Sequence, residues 1–148
     1  MSRGGDRDTD RSVVEEVTAA NRAFYSALEA GDLDAVRDVW VPGPDSVCVH
    51  PGIAPIHGTA AVLRSWAMVM ASMSYVQFFL TEVEVTVAGE RADLAVVTLS
   101  ENILAAGDST PEASFQGAHT RAVNVFTRVE GRWRLWLHES TPVLSGES

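Results

Sequence analysis

Apolar residues at Val13, Val17, Ala20, Phe24 and Leu28 recur at three- and four-residue intervals, which places them on one face of a helix. Ser12-Val13-Val14-Glu15 has the form of a capping box, and Gly31 supplies a left-handed stop. The first helix is therefore expected to begin at Ser12, with residues 1–11 a disordered, charged tail. Asp32 caps a second, shorter helix with Leu33, Val36 and Trp40 on its buried side, ended by Pro42-Gly43-Pro44. Residues 46–50 and 56–58 read as short strands around Pro51-Gly52, and Thr59 caps a third helix carrying Val62, Trp66, Val69 or Met70, and Met73. From Tyr75 the period becomes two, with Val83, Val85 and Val87 alternating against Glu82, Glu84 and Thr86. Gly89-Glu90 turns the chain into a long strand over 92–104, and 105–114 reads as an exposed loop. Residues 116–129 and 132–140 form a last hairpin around Glu130-Gly131. Strict alternation puts Arg134, Trp136, His138 and Ser140 on one face of the final strand.

Helices followed by strands predict an α+β fold, three helices covering one face of a curved, mostly antiparallel sheet and leaving a space at the open end. The 148 residues, 46% hydrophobic, suit one domain over 12–142 with a short tail at 143–148. The charge changes the list of partners. Twenty acidic residues face 11 basic ones, all arginine, for a net charge of -9, and no arginine cluster forms. Nucleic acid and anionic membrane surfaces are thus not expected as partners. One cysteine, Cys48, excludes an internal disulfide, and neither a secretory leader nor an apolar span is visible, so a cytoplasmic location is expected.

Ala27-Leu28-Glu29-Ala30-Gly31-Asp32-Leu33-Asp34-Ala35-Val36 resembles the opening of the nuclear transport factor 2-like superfamily. Val49-His50-Pro51-Gly52, Gly58-Thr59-Ala60-Ala61-Val62, Ser65-Trp66, Asn124-Val125-Phe126 and Trp133-Arg134-Leu135 through His138-Glu139-Ser140 extend the match over nearly the whole chain after Arg11. The resemblance is to the SnoaL-like branch, and also to the association domain of calcium/calmodulin-dependent kinase II. It implies a cone-shaped fold with a pocket between helices and sheet, usually as a homodimer. It implies no single activity, because the superfamily holds isomerases, cyclases, dehydratases and proteins that only bind or assemble.

Within that resemblance His50 falls where ketosteroid isomerases have their catalytic aspartate, and an imidazole suits a general base near neutral pH. A structural histidine bonding the turn backbone is the other reading. Asn124 falls near the oxyanion-binding acid of those isomerases, so its amide is a candidate donor to a developing oxyanion, or else a satisfied core amide. The helix-one position expected to hold the isomerase tyrosine is Phe24, with Tyr25 turned to another face, which counts against steroid isomerisation. His138 is a candidate second histidine, with Glu101 or Glu139 orienting an imidazole. Phe24, Trp40, Trp66, Met70, Glu101, Arg121 and Phe126 complete the expected pocket, Arg121 as a carboxylate anchor. His57 and His119 lack the spacing of a metal set, so no metal and no cofactor are expected. Cys48 reads as a buried thiol rather than a nucleophile. The function expected is a cofactor-free lyase, isomerase or cyclase on a small apolar carbonyl compound. The alternative is a non-catalytic ligand-binding or assembly domain.

Overall fold

Helix α1 runs Arg3–Ala30, so its backbone is already helical nine residues ahead of Ser12. The expected tail and its Ser12 cap are corrected at this point. No proline interrupts residues 3–30. Among the residues whose burial is described, the first buried apolar side chain is nonetheless Val13. The structure, a computed structural model, describes residues 3–107 and 116–143. The tail expected beyond Val143 and most of the loop expected at 105–114 lie outside them, while residues 105–107 continue a strand.

Asp32 caps α2 (Leu33–Val39), its carboxylate accepting from the Ala35 N–H at 3.1 Å. Helix α3 spans Thr59–Ala71, but Gly58 occupies its cap with φ 87°. The Thr59 hydroxyl turns away and donates to the Val41 carbonyl at 2.7 Å, tying α3 to the end of α2. No helix among the described residues is long and apolar enough to cross a membrane.

The strands are β1 (Val47–Val49), β2 (Ile56–His57), β3 (Met73–Ala88), β4 (Leu94–Gly107), β5 (Gln116–Val129) and β6 (Arg132–Pro142). They form one sheet in the order β2-β1-β6-β5-β4-β3, antiparallel except where β1 runs parallel to β6. The α+β prediction of three helices on a mostly antiparallel sheet holds. Val17, Phe24, Val36, Trp40, Val62, Val97, Leu99, Phe126 and Leu135 are fully buried between the layers.

Besides a shift at the start of β3, between Met73 and Tyr75, two irregularities depart from the simple alternation. In β6, Leu137 pairs with Val125 and Leu135 with Phe126, so Trp136 is an extra residue with no partner in the ladder. Trp133 and Leu135 therefore share the inner face with His138 and Ser140, while Trp136 lies exposed with its indole on the Asp45 carbonyl. The expectation that Arg134, Trp136, His138 and Ser140 share one face is corrected by this insertion. In β3 a second shift, between Thr81 and Glu84, places Glu82 at φ 54° and leaves Val83 exposed, out of step with Val85 and Val87.

Candidate functional site

Between α1, α3 and the inner sheet face lies a cavity of about 440 Å³. Its walls are apolar, with Leu28, Trp66, Val69, Phe78 and Ile103 among them, and Ile53 and Met68 stand exposed at its rim. At its floor the polar side chains of His50, Ser65, Glu101, Thr120, His138 and Ser140 come together. Each arrives by an element already described. Glu101, Thr120 and Ser140 occupy inward positions on β4, β5 and β6, and the β6 bulge delivers His138 and Ser140 to that side. His50 follows β1, and Ser65 projects from α3.

Glu101 is buried, yet among the described residues no arginine pairs with it; three hydroxyls reach it. Thr120 and Ser140 donate to its Oε1 at 2.6 and 2.5 Å, and Tyr25 donates to Oε2 at 2.6 Å. Burial first, then the adjacent Glu101 charge, raises the Tyr25 pKa well beyond the ordinary phenol range, so Tyr25 stays protonated as a donor.

Asn124 lies behind this floor, fully buried. Its Nδ2 donates to Asn21 Oδ1 at 2.8 Å and to the Tyr25 hydroxyl at 3.1 Å. Its Oδ1 faces His138 Nδ1 at 2.5 Å. Oδ1 can only accept, so Nδ1 carries the His138 proton and Nε2 is left with its lone pair, 3.4 Å from the Ser140 hydroxyl. Burial pushes the His138 pKa down to about 4; Glu101 opposes that shift and His50 adds to it. At neutral pH the ring is uncharged.

His50 packs edge-on against Trp66, ring centres 4.6 Å apart, and its Nε2 meets Ser65 Oγ at 2.9 Å. Ser65 places its one proton on the Val62 carbonyl at 2.6 Å, so His50 Nε2 donates and Nδ1 is the unprotonated nitrogen. Burial lowers the His50 pKa as well. Cys48 Sγ lies 3.7 Å from the same Nε2. Its pKa is pushed up to about 12 by burial, so Cys48 is a neutral, inert thiol at physiological pH.

Of the residues singled out from sequence, His50, Trp66, Glu101 and His138 line the cavity. Five others do not. Phe24, Trp40 and Phe126 are fully buried in the core, Phe24 packing on Tyr25, Trp40, Trp66 and His138. Met70 is half-buried against that core. Arg121 follows Thr120 and so points to the opposite sheet face, where it pairs with Glu82 at 2.9 Å; it cannot anchor a carboxylate in the cavity. Asn124 likewise has both amide protons committed to Asn21 and Tyr25, which corrects its reading as an oxyanion donor. It orients His138 instead. His57 pairs with Val47 in β2, away from the floor, and His119 sits on β5 beside Asn102.

Sequence reasoning missed Tyr25, Asn21, Thr120 and Ser65 as members of the site. Tyr25 sits one helical step from Phe24, about 100° further round the helix. That step carries its hydroxyl to Glu101 while Phe24 fills the core. Polar residues on otherwise apolar faces, Asn21 on α1 and Thr120 on β5, were the available signal.

Residues 17–144 match the model of the SnoaL-like domain. A solved protein from Streptomyces avermitilis, provisionally named a dehydratase of the nuclear transport factor 2-like family, is 41% identical. It superposes with a TM-score of 0.83 over 91% of this chain and 99% of its own. A Thiobacillus denitrificans protein, provisionally named a calcium/calmodulin-dependent protein kinase type II association domain, is 29% identical, with a TM-score of 0.72 over 86% of this chain and 94% of its own. A Novosphingobium aromaticivorans protein, provisionally named a scytalone dehydratase, shares the fold alone: 9% identity, TM-score 0.81, over 93% of this chain and 89% of its own. No curated protein matches the chain.

Proposed function

Because the chain belongs to the SnoaL-like domain family, we propose that its cone binds a small, largely apolar carbonyl compound and acts on it as a cofactor-independent lyase of the dehydratase kind. The observation that supports this reading is the His138 tautomer. Asn124 Oδ1 holds the Nδ1 proton, so Nε2 is the free base on the cavity side. Desolvation keeps the ring neutral, hence competent, at neutral pH. Glu101 acts in the opposite sense and stabilises the imidazolium once a proton has been taken.

The steps balance without any co-reactant. His138 Nε2 takes the proton from the carbon beside the ligand's carbonyl, and the C–H electron pair becomes a carbon–carbon double bond. The bond to the β-hydroxyl breaks, and His138 returns its proton to the departing hydroxide as water. His50, across Trp66, orients that hydroxyl through Nδ1. In this scheme the base is His138, and the role given to His50 from sequence becomes one of positioning. The Streptomyces avermitilis protein, provisionally named a dehydratase, favours the same reaction class.

The test is turnover of aromatic and alicyclic β-hydroxy ketones, followed by the absorbance of the conjugated product. His138→Gln is expected to lower kcat/KM by about 10²–10⁴-fold, the range for loss of a general base. Wild-type turnover in that variant would remove His138 from the mechanism. A second reading, binding without conversion, is favoured by the 29% identical protein provisionally named an association domain. It predicts compounds that bind by calorimetry and are recovered unchanged.

A further inference from the structure

The direction of each hydrogen bond at the cavity floor fixes what a ligand can offer there. The Thr120 and Ser140 protons both go to Glu101 Oε1, and the Ser65 proton goes to the Val62 carbonyl. His138 donates from Nδ1 to Asn124 and His50 donates from Nε2 to Ser65. On these lining residues the polar sites left unused are His138 Nε2, His50 Nδ1, the hydroxyl oxygens and a lone-pair site of Glu101 Oε2. All of these are acceptors. Trp66 is the remaining lining side chain with a polar hydrogen; its Nε1 is fully buried and has no hydrogen-bond partner among the described residues. No arginine lines the cavity, and Glu101 forms no ion pair among the described residues.

From this arrangement we infer that the ligand is held at the floor by its own O–H or N–H donors, and that a carbonyl or carboxylate oxygen is turned away from it. A buried acceptor left without a proton loses its hydration for nothing in return, and an oxygen against oxygen adds repulsion. A ligand hydroxyl that gives its one proton to His50 Nδ1 or to His138 Nε2 avoids both penalties at that acceptor, and an ammonium has protons for each. A free acid meets the Glu101 charge with no cation to offset it. The inference rests on the reading of the cavity as a ligand site, and it narrows that reading to a hydroxylated or ammonium-bearing compound whose carbonyl faces the apolar wall or the rim.

Calorimetry on the wild-type protein with one aromatic skeleton separates the cases: β-naphthol, its methyl ether, the corresponding acetylnaphthalene, naphthoate and naphthylmethylammonium. Naphthol is expected to bind at least about tenfold more tightly than the ether, the ketone and the acid. The ammonium probe then distinguishes a neutral donor from a cationic one, since tighter binding than naphthol identifies a cation balanced by Glu101. Glu101→Gln adds an amide donor to the floor and is expected to reduce the naphthol preference and admit the acid. An ether or ketone that binds the wild type as tightly as naphthol overturns the inference, as does a failure of naphthol to bind at millimolar concentration. Binding selectivity is read without turnover. A donor preference with no conversion leaves this inference standing and rejects the lyase reading, whereas conversion without the preference does the reverse.

Discussion

His138 carries a pH dependence of its own. Its pKa is about 4 in the folded chain against an ordinary 6.5, so above about pH 6.5 the ring is neutral in both states and its contribution is intact. As the pH falls toward 4 the unfolded chain takes up the proton and the folded chain resists it, so stability is lost. The loss amounts to about 3 kcal/mol by pH 4, and His50, shifted the same way, adds to it. Urea denaturation of the wild type and of His138→Gln at pH 7 and pH 4 measures this directly. The difference in unfolding free energy between the two proteins is expected to narrow by about that amount on acidification, and a constant difference would show that His138 is not buried as a neutral ring.

The elements themselves were legible from periodicity. Asp32, Gly31, Pro51-Gly52 and Glu130-Gly131 mark boundaries by local chemistry, and the structure has its turns there. The floor of the cavity was legible only in part, because its membership depends on parity along β6. A period-two reading from Trp133 onward assigns His138 and Ser140 to the wrong company, since the extra residue at Trp136 is visible only in the pairing with Val125 and Phe126. The Tyr25–Glu101 bond joins residues 76 apart in sequence, a contact that no local pattern announces. The bulge makes a sharp prediction. Trp136→Thr keeps the extra residue and is expected to retain cooperative folding within a few degrees of the wild-type Tm, because the indole is exposed. Deleting Trp136 turns His138 and Ser140 outward and strips Glu101 of a donor, and circular dichroism is expected to show no cooperative melting. Equal melting of the two variants would mean that the bulge does not set the register.

At the scale of the whole molecule, the outer sheet surface carries exposed Phe79 on β3, Val123 on β5 and Trp136 on β6. Apolar patches of this kind mark association surfaces, and a homodimer through this face is expected by light scattering at micromolar concentration. A monomer under those conditions rejects it, and Val123→Arg is expected to shift the equilibrium toward monomer. Association by the sheet's edge is a different matter. β3 is an outermost strand of 16 residues, long enough to serve as a template for further strands. The irregularity between Thr81 and Glu84 breaks its line midway. Upstream of it, the Glu29 carboxylate of α1 accepts the Phe78 N–H at 2.8 Å, occupying a donor that a neighbouring strand would need. Face-to-face pairing of two copies ends with two, whereas edge-to-edge pairing has no natural end. By spoiling the edge, the kink in β3 withholds the long, straight template that open-ended addition of strands needs.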